Sequence, residues 1–531
     1  MIGKTDSGLE VKANYGPEDL PRTEEHRSDP GTFPYVRGIE REMYRRELWH
    51  HDLYAGFGNA ETAKARYEQL LSEGASGLNI ALDLPTQCGL DSDDAEAAGE
   101  VGRVGLAVDT LADIEDLFNG IDLRRAKIFF TVGNAIGPIA LAWFTLACEK
   151  QGLAPNEYVI HLQNDPLKEY TGRATFILPI EPSVKLACDV VEYAAREGRW
   201  TWKPIGICGS QFRWNGSTAY EEIGLGIASA ASYVEELCRR GLHVDEFGPL
   251  LEMHLTADED IFEEAAKFRA ARRLWAEMMR DRFGARDPRS QQLRVSLYTA
   301  GYRLTAQEPL NNAVRVAYQA LGAVLGGVQH IGTLGIDEAL ATPTPEAARL
   351  ALRTQQILAH ETGVTNVADP LGGSYYVEAL TQKLYERAAT VMRNIEEHGG
   401  MVAAIRSGHV QNLMDEASYR YQREVDSGDR VSVGVNRFQA ANARSASAVP
   451  VFRDDTSSEQ RQVERLSAVR ARRSTESVRA SLERVAAAAR SNENLVQPIR
   501  DAVAAYASVG EICSMLKSVY GSWRDEAGLR L

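Results

Sequence analysis

Residues 127 to 151 read KIFFTVGNAIGPIALAWFTLACEKQ. Lys127 to Val132 is a short β-rich apolar run, and after the polar Asn134 an apolar stretch of helical length begins at Ile136. Pro138 stands near the start of that stretch, where a missing N–H costs little. The apolar run from Ala135 to Cys148 is too short to span a bilayer and ends in Glu149-Lys150, so it predicts a buried helix following a buried strand.

The same alternation recurs along the chain. Candidate strands lie at Leu53 to Gly56, Leu78 to Leu84, Lys127 to Val132, Tyr158 to Leu162, Ile205 to Cys208, Leu250 to Leu255, Leu293 to Tyr298 and Gly327 to Ile331. Helical periods fill the intervals: Ala60 to Ser72, Leu111 to Asn119, Ile136 to Gln151, Glu181 to Glu197, Ala219 to Arg239, Asp260 to Arg282 and Pro309 to Leu325, with Glu346 to Thr362 as an eighth. Parallel strands joined by helices must be covered on both faces or close on themselves, and eight units favour closure. The pattern predicts an α/β fold, a (β/α)8 TIM barrel, with a doubly wound open sheet as the runner-up. The predicted organisation is an N-terminal extension over 1–36, the barrel over 37–438, a linker over 439–460 and a C-terminal helical region over 461–531.

The linker rests on AANARSASAVPVFRDDTSSEQ, rich in Ala, Ser and Asp. Beyond it two helices are predicted, Glu459 to Ala489 and Leu495 to Tyr520, as an appendage packing on the barrel or on a partner chain. With 531 residues, 44% of them hydrophobic and 25% charged, the chain suits a soluble globular protein with a large domain and appendages. Acidic residues exceed basic ones, 74 against 59, which disfavours nucleic acid and anionic membranes as partners. The N-terminal stretch lacks the apolar core of a secretory signal and reads as mature sequence. Six scattered cysteines with no C-x-x-C pair suit reduced thiols in a cytoplasm and offer no metal-ligand spacing.

In a barrel, chemistry gathers where strands end. Those positions carry Asp83, Thr86 and Gln87, Asn134, Gln163 to Asp165, Ser210 and Gln211, His254, Tyr298 and Thr299, and Gln329 and His330. The ring is polar and lightly charged. It holds no G-x-S-x-G elbow, no H-E-x-x-H and no carboxylate cluster for a hard metal, so ordinary hydrolysis has no machinery here.

Several ordered stretches resemble the substrate-binding part of the adenosylcobalamin-dependent acyl-CoA mutases, the methylmalonyl-CoA mutase family. They include LYAGFGNAETAKARYEQLLSEGASGLNIALDLPTQCGLDSD, LQNDPLKEYTGRATFILPIEPS, FRAARRLWAEM, LTAQEPLNN, IDEALATPT and DPLGGSYYVE, with NLVQPIRDAVAAYASVGEICSMLKSVYG near the C-terminus. The resemblance implies a (β/α)8 barrel that covers a cobalamin held by a module with a D-x-H-x-x-G motif, whose histidine ligates cobalt. No D-x-H-x-x-G occurs in this sequence. The chain therefore resembles the large subunits of split mutases, which implies a small cobalamin-binding partner subunit and a heterotetramer built on a dimer of large subunits.

Residue by residue, the resemblance implies that Tyr54 in LYAGFG lies against the adenosyl group and that Arg173 in YTGRATF pairs with a substrate carboxylate. Gln163 falls in the substrate pocket, and Glu338 in IDEA bonds the adenosyl ribose. Asn134 at its strand end joins the cofactor set, and Ser210, Ser296 and Tyr298 join the substrate set. Ala81 stands where hydroxyisobutyryl-CoA mutases place an aspartate, which argues against a hydroxylated acyl group.

Departures from the family concentrate at the same positions. The family's G-Y-H-M-[QR]-[ED]-A-G is here Gly209-Ser210-Gln211-Phe212-Arg213-Trp214-Asn215-Gly216, so Gln211 replaces the histidine that bonds the migrating carbonyl. An amide can donate to a carbonyl but cannot carry a charge. In the stretch that meets CoA, two arginine positions become Glu47 and Asp52, leaving Arg45, Arg46, His50 and His51 to supply positive charge. R-T-H-x-Q-T-S-G-W-S-L-T becomes Arg294 to Thr305, RVSLYTAGYRLT, and the asparagine of H-T-N becomes Leu334.

The function expected is a radical 1,2-rearrangement of a carboxylated acyl-CoA, with Tyr54, Gln163, Arg173 and Gln211 as the catalytic set. The cofactor would carry the hard chemistry while the protein orients substrate and excludes water. The lost CoA arginines keep open a related mutase acting on a non-CoA carboxylate. A noncatalytic assembly barrel is a third reading, and it gives no reason to keep Tyr54, Gln163, Arg173 and Glu338.

Overall fold

The computed structural model describes residues 3–21, 28–439, 450–452 and 457–523. Most of the linker expected over 439–460, namely 440–449 and 453–456, lies outside the described residues.

Each of the eight predicted strands has its counterpart. After a short antiparallel pair, β1 (Gly3–Lys4) and β2 (Glu10–Val11), come β3 (His50–Asp52), β4 (Tyr54–Ala55), β5 (Gly77–Ile80), β6 (Lys127–Phe130), β7 (Val159–Leu162), β8 (Ile205–Cys208), β9 (Leu251–Ala257), β10 (Val295–Thr299) and β11 (His330–Gly332). The first predicted strand, Leu53 to Gly56, corresponds to β4 alone, and β3 precedes it as a strand that was not predicted. β3 joins a five-stranded sheet of order β3-β11-β10-β9-β8, and β4 starts a four-stranded sheet of order β4-β5-β6-β7. The paired strands of these two sheets run parallel, with helices between them in the chain order of a (β/α)8 fold.

The chain forms two compact units, one of Met1–Leu53 with Ile207–Phe452 and the other of Tyr54–Gly206 with Arg453–Leu531. In the first, pairing sets two rows of side chains on one sheet face, since directly paired residues of parallel strands point the same way. His50, His330, Ser296 and His254 form one row, and Asp52, Gly332, Tyr298 and Thr256 form the next. The alternate residues Met253, Leu255, Leu297 and Ile331 are buried and apolar. Helix Ala219–Arg239 comes close on that side, where a Cβ on Gly226 would stand 3.4 Å from Met253 Sδ.

In the second unit, Tyr54, Asn79, Phe129, His161 and Lys203 share one row across β4 to β7 and the bridge that follows. Lys203 N–H donates to the Ile160 carbonyl at 2.8 Å, and Gly206 N–H to that of Gln163 at 3.0 Å, so β7 is bonded to the segment that opens β8. Helix Ile136–Lys150 is buried from Ile136 to Cys148, as a sequence apolar on all sides requires, with Thr145 Oγ1 donating to Leu141 O. Helix Val496–Ala504 and helices Leu111–Phe118 and Ile180–Arg196 pack around it.

The C-terminal region forms four helices, Ser458–Arg472, Thr475–Ser491, Val496–Ala504 and Val509–Tyr520, where two were expected. Ser474 and Ser508 cap new N-termini with their side chains, and the periodicity on either side of each cap is continuous enough to read as one helix. Asp91 fastens this region by accepting from Ser508 Oγ at 2.6 Å, Gly510 N–H at 2.7 Å and Arg470 at 2.6 Å. Asp189 does the same for Leu495 N–H at 3.0 Å. Among the described residues no helix is long and apolar enough to cross a membrane.

Candidate active site

Each unit carries part of the predicted set. In the second, β7 delivers Gln163 to its C-terminal end, and the turn beyond it folds into a π-helical loop, Glu169–Arg173, closed by Ala174 at φ +65°. Lys168 and Glu169 are both buried, with Lys168 Nζ 3.1 Å from Glu169 Oε1. Lys168 Nζ also donates to Gln163 Oε1. An ammonium holding the amide oxygen fixes which end of Gln163 is which, so its NH2 is the end presented away from Lys168. Thr175 Oγ1 donates to the other oxygen of Glu169. The carboxylate is thereby satisfied by close partners.

Arg173 lies only 4.0 Å from Glu169 Oε1, at the limit of an ion pair, and its side chain keeps 23% exposure. Glu169 is far closer to Lys168 and Thr175 than to Arg173. Asn134 adopts a left-handed backbone at φ +51°, and its amide joins Thr175 O at 2.8 Å and Tyr170 OH at 3.0 Å. Those two bonds hold the loop that carries Arg173. Tyr54 on β4 is half-buried and pairs in register with Asn79, while Tyr67 OH donates to Ala55 O at 2.8 Å behind it.

In the first unit, Ser210 and Gln211 open the short helix Ser210–Trp214 that follows β8. Ser210 Oγ lies 3.1 Å from Cys208 Sγ, and Gln211 is half-buried, its side-chain amide without a hydrogen bond among the described residues. Ser296 and Tyr298 share the row-forming face of β10, and the Tyr298 ring meets that of His254 edge-on at 5.0 Å. Trp214 Nε1 donates to Thr256 Oγ1 at 3.1 Å, and the Trp214 ring lies 6.0 Å from Tyr302.

Glu338 is half-buried in the loop after β11, and burial, reinforced by Asp337, raises its carboxyl to about 7. Asp337 is occupied with Thr344 N–H at 2.8 Å, which pins the loop. A Cβ on Gly301 would stand 2.7 Å from Leu334, 3.2 Å from Trp214 and 3.6 Å from Glu338 Cγ, so these side chains surround one point. Near neutrality Glu338 can donate or accept a hydrogen bond, which suits a sugar hydroxyl.

Arg45 and Arg46 are both exposed at the opposite, N-terminal strand ends. Arg46 lines a small cleft of about 100 Å3 with Arg294, His50, Glu40 and Glu47, and Arg45 does not. Arg46 sits 3.8 Å from Glu40, and His50 3.5 Å from Glu47. Burial, with His360 adding to it, holds the His51 ring down at about 4, so His51 is neutral and supplies no charge.

Three strand-end assignments are corrected. His254 is the fourth of the seven residues of β9, Gln329 precedes β11 and His330 opens it. The strand β9 runs on to Ala257, so its true end delivers Asp258, which the sequence reading passed over. Buried Asp258 accepts from Arg213 at 2.9 Å, Arg303 Nε at 2.8 Å and Tyr302 OH at 2.6 Å. Burial alone would raise its carboxyl, but Arg303 and Arg213 override that and hold it well below the carboxylate range.

The strand ends of the two units carry amides, hydroxyls and a partly exposed guanidinium. Its relatives place the chain among mutases, a class of isomerase. The profile of the methylmalonyl-CoA mutase family matches residues 4–522, and the chain belongs to that family of acyl-CoA mutases. It is 39% identical over 497 residues to the 2-hydroxyisobutanoyl-CoA mutase large subunit of Aquincola tertiaricarbonis, covering 93% of this chain and 88% of the relative. It is 38% identical over 524 residues to the methylmalonyl-CoA mutase of Rhizobium meliloti (strain 1021), covering 98% of this chain and 73% of the relative. The methylmalonyl-CoA mutase of Escherichia coli (strain K12) is 36% identical, with 98% of this chain and 72% of the relative covered.

Proposed function

We propose that the chain is the large, substrate-binding subunit of a split mutase that rearranges a carboxylate-bearing acyl-CoA of methylmalonyl-CoA shape. The observation that supports this reading is Arg173, a partly exposed guanidinium carried by the π-helical loop that follows Gln163. A substrate carboxylate can take the bidentate geometry that Glu169 does not. Gln163, oriented by Lys168, and Gln211 donate to the carbonyl of the migrating group. Ala81 is buried and offers no polar group to a substrate hydroxyl, which separates this reading from the activity named for the Aquincola relative.

The residues fit adenosylcobalamin. A half-buried carboxyl raised to about 7 at Glu338 and a half-buried phenol at Tyr54 are the groups that would hold its adenosyl portion. When bound, the cofactor supplies hydrogen-atom abstraction that no side chain can perform. Arg173 then fixes the carboxylate, the glutamines hold the carbonyl, and the Tyr54 ring keeps water away from the reacting carbons. Among the described residues no three His, Cys, Asp or Glu side chains gather as a metal site, and the sequence has no D-x-H-x-x-G. The large-subunit name of the Aquincola relative supports a small partner subunit, which would hold cobalt within a heterotetramer built on a large-subunit dimer.

Arg45 and Arg46 are the cations assigned to CoA phosphates, Arg46 with Arg294 in a cleft that Glu40 and Glu47 also line. That opposition favours, as a second reading, a mutase for a carboxylated substrate that is not a CoA ester. The six cysteines are unbridged, which supports a reducing cytoplasm. Co-elution on size exclusion tests the subunit arrangement. The chain should join a D-x-H-x-x-G cobalamin subunit when adenosylcobalamin and acyl-CoA are added, and failure to associate under all conditions would sink it.

A further inference from the structure

A cavity of about 610 Å3 opens in the first unit between the N-terminal stretch near Asp6, the helix Ser210–Trp214 and the helix His409–Ser427. Gln211, Ser296, Tyr298 and Glu338 do not line it, so it is separate from the candidate active-site residues. Five cations face it, Lys4, Arg213, Arg303, Arg420 and Arg430, against two carboxylates, Asp6 and Glu424. Asp258 and Glu221 stand behind the wall, Asp258 bonded to Arg213 and Arg303 and Glu221 3.9 Å from Arg420.

The wall already holds one oxyanion. Asp6 Oδ2 lies 3.0 Å from Arg213 and 2.6 Å from Arg303, and its Oδ1 pairs with Arg430. Donors remain beyond that carboxylate. Arg213 is 5% exposed, yet its Nε has no hydrogen-bond partner among the described residues, and neither has the buried hydroxyl of Ser217. An unanswered buried donor is costly unless a ligand or water answers it.

The remaining wall is aromatic. Trp214, Tyr220, Tyr302 and Tyr421 line the cavity, and the guanidiniums of Arg303 and Arg430 lie 5.0 Å and 4.8 Å from the Tyr421 ring. Flat rings beside guanidiniums suit a planar base joined to a phosphate. The volume falls within the roughly 300–1,000 Å3 usual for small-molecule sites. Trp214, Asn215, Tyr302 and Arg303 belong to the two segments, 209–216 and 294–305, where this chain departs from its family's pattern. Within those segments it is Trp214, Asn215, Tyr302 and Arg303 that line the cavity.

We propose that the cavity binds a nucleoside phosphate, with the phosphate on Lys4 and Arg420 beside the Asp6-filled arginines and the base against the aromatic wall. Lys4 is exposed and the Arg420 side chain is half exposed, so charge reversal at either leaves the fold intact. Calorimetric titration of the full chain with ADP, and with inorganic phosphate alone, tests it. One ADP per chain should bind, about tenfold more weakly in Lys4→Glu and in Arg420→Glu, with phosphate weaker than ADP and sensitive to the same changes. Absence of binding at millimolar ADP, or binding that both variants leave unaltered, would overturn the proposal. CoA added as competitor separates the two sources of this chemistry: displacement of ADP assigns the cavity to the nucleotide end of CoA, and coexistence assigns it to a free nucleotide.

Discussion

The ring of Tyr298 lies over Gly332: a Cβ built on Gly332 would collide with Tyr298 Cδ1 and Cε1. The two residues are paired in register on β10 and β11, so the ring occupies space that any side chain at 332 would need. In the family patterns these positions read glutamine, in R-T-H-x-Q, and histidine, in H-T-N. A large ring on one strand and no side chain on its neighbour replace two mid-sized polar groups.

Gly332→Ala should therefore destabilise the protein by about 1–3 kcal/mol through overpacking. In the Tyr298→Ala background the same substitution should cost much less, because the obstructing ring is gone. Urea denaturation of the four proteins measures the coupling, and equal costs in the two backgrounds would contradict the packing described.

Arg173→Gln should lower kcat/KM for a carboxylated acyl-CoA by about a hundredfold or more, the loss of a bidentate charge-assisted pair. Turnover of an uncharged acyl-CoA should be little changed. Steady-state kinetics with both substrates decides it, and equal kinetics for wild type and variant would remove the carboxylate role.

Glu338 gives a stability signature that needs no cofactor. Its folded carboxyl is raised by burial to about 7, above the ordinary 4.5 of a glutamate, so the folded state binds the extra proton between those values. Its contribution is complete below about 4.5 and is lost as pH rises through about 7. Thermal melts of Glu338→Gln should thus gain on wild type as pH goes from 5 to 8. A constant difference across that range would mean that Glu338 is not held as described.

Asp91 is the fastener of the C-terminal helices, with three donors on its two oxygens. Asp91→Ala should cost about 2–4 kcal/mol, since it leaves the Ser508 hydroxyl and Gly510 N–H without their acceptor and Arg470 with Asp93 alone. Limited proteolysis should then cut first within the helices from Ser458 to Tyr520. An unchanged digestion pattern would argue against this role.

The apolar periods made the fold legible. Helices Ala60–Ser72 and Ala219–Arg239 match their predicted bounds, as does β8, because a cap or turn residue closes each. Boundaries slipped where a local signal was hidden inside a continuous pattern, as at Ser474 and Ser508, whose caps lie between stretches of matching period. The end of β9 was placed two residues early, and Asp258 with its arginines went unread for that reason. Lys168 and Glu169 were not singled out, since nothing local to LKEY reveals that a π-helical loop buries both and sets Lys168 against Gln163. The family resemblance supplied Tyr54, Gln163, Arg173 and Glu338; the cavity beside Trp214 and Arg303 required three-dimensional placement.

The most direct test of the central claim is turnover by the assembled enzyme. The chain, combined with a D-x-H-x-x-G cobalamin subunit and adenosylcobalamin, is given 13C-labelled methylmalonyl-CoA, and the carbon skeleton is followed by NMR. The account predicts migration of the label into the rearranged isomer, dependent on both subunits and abolished or strongly reduced in Arg173→Gln. An intact complex that leaves methylmalonyl-CoA and other carboxylated acyl-CoA esters unrearranged would contradict it.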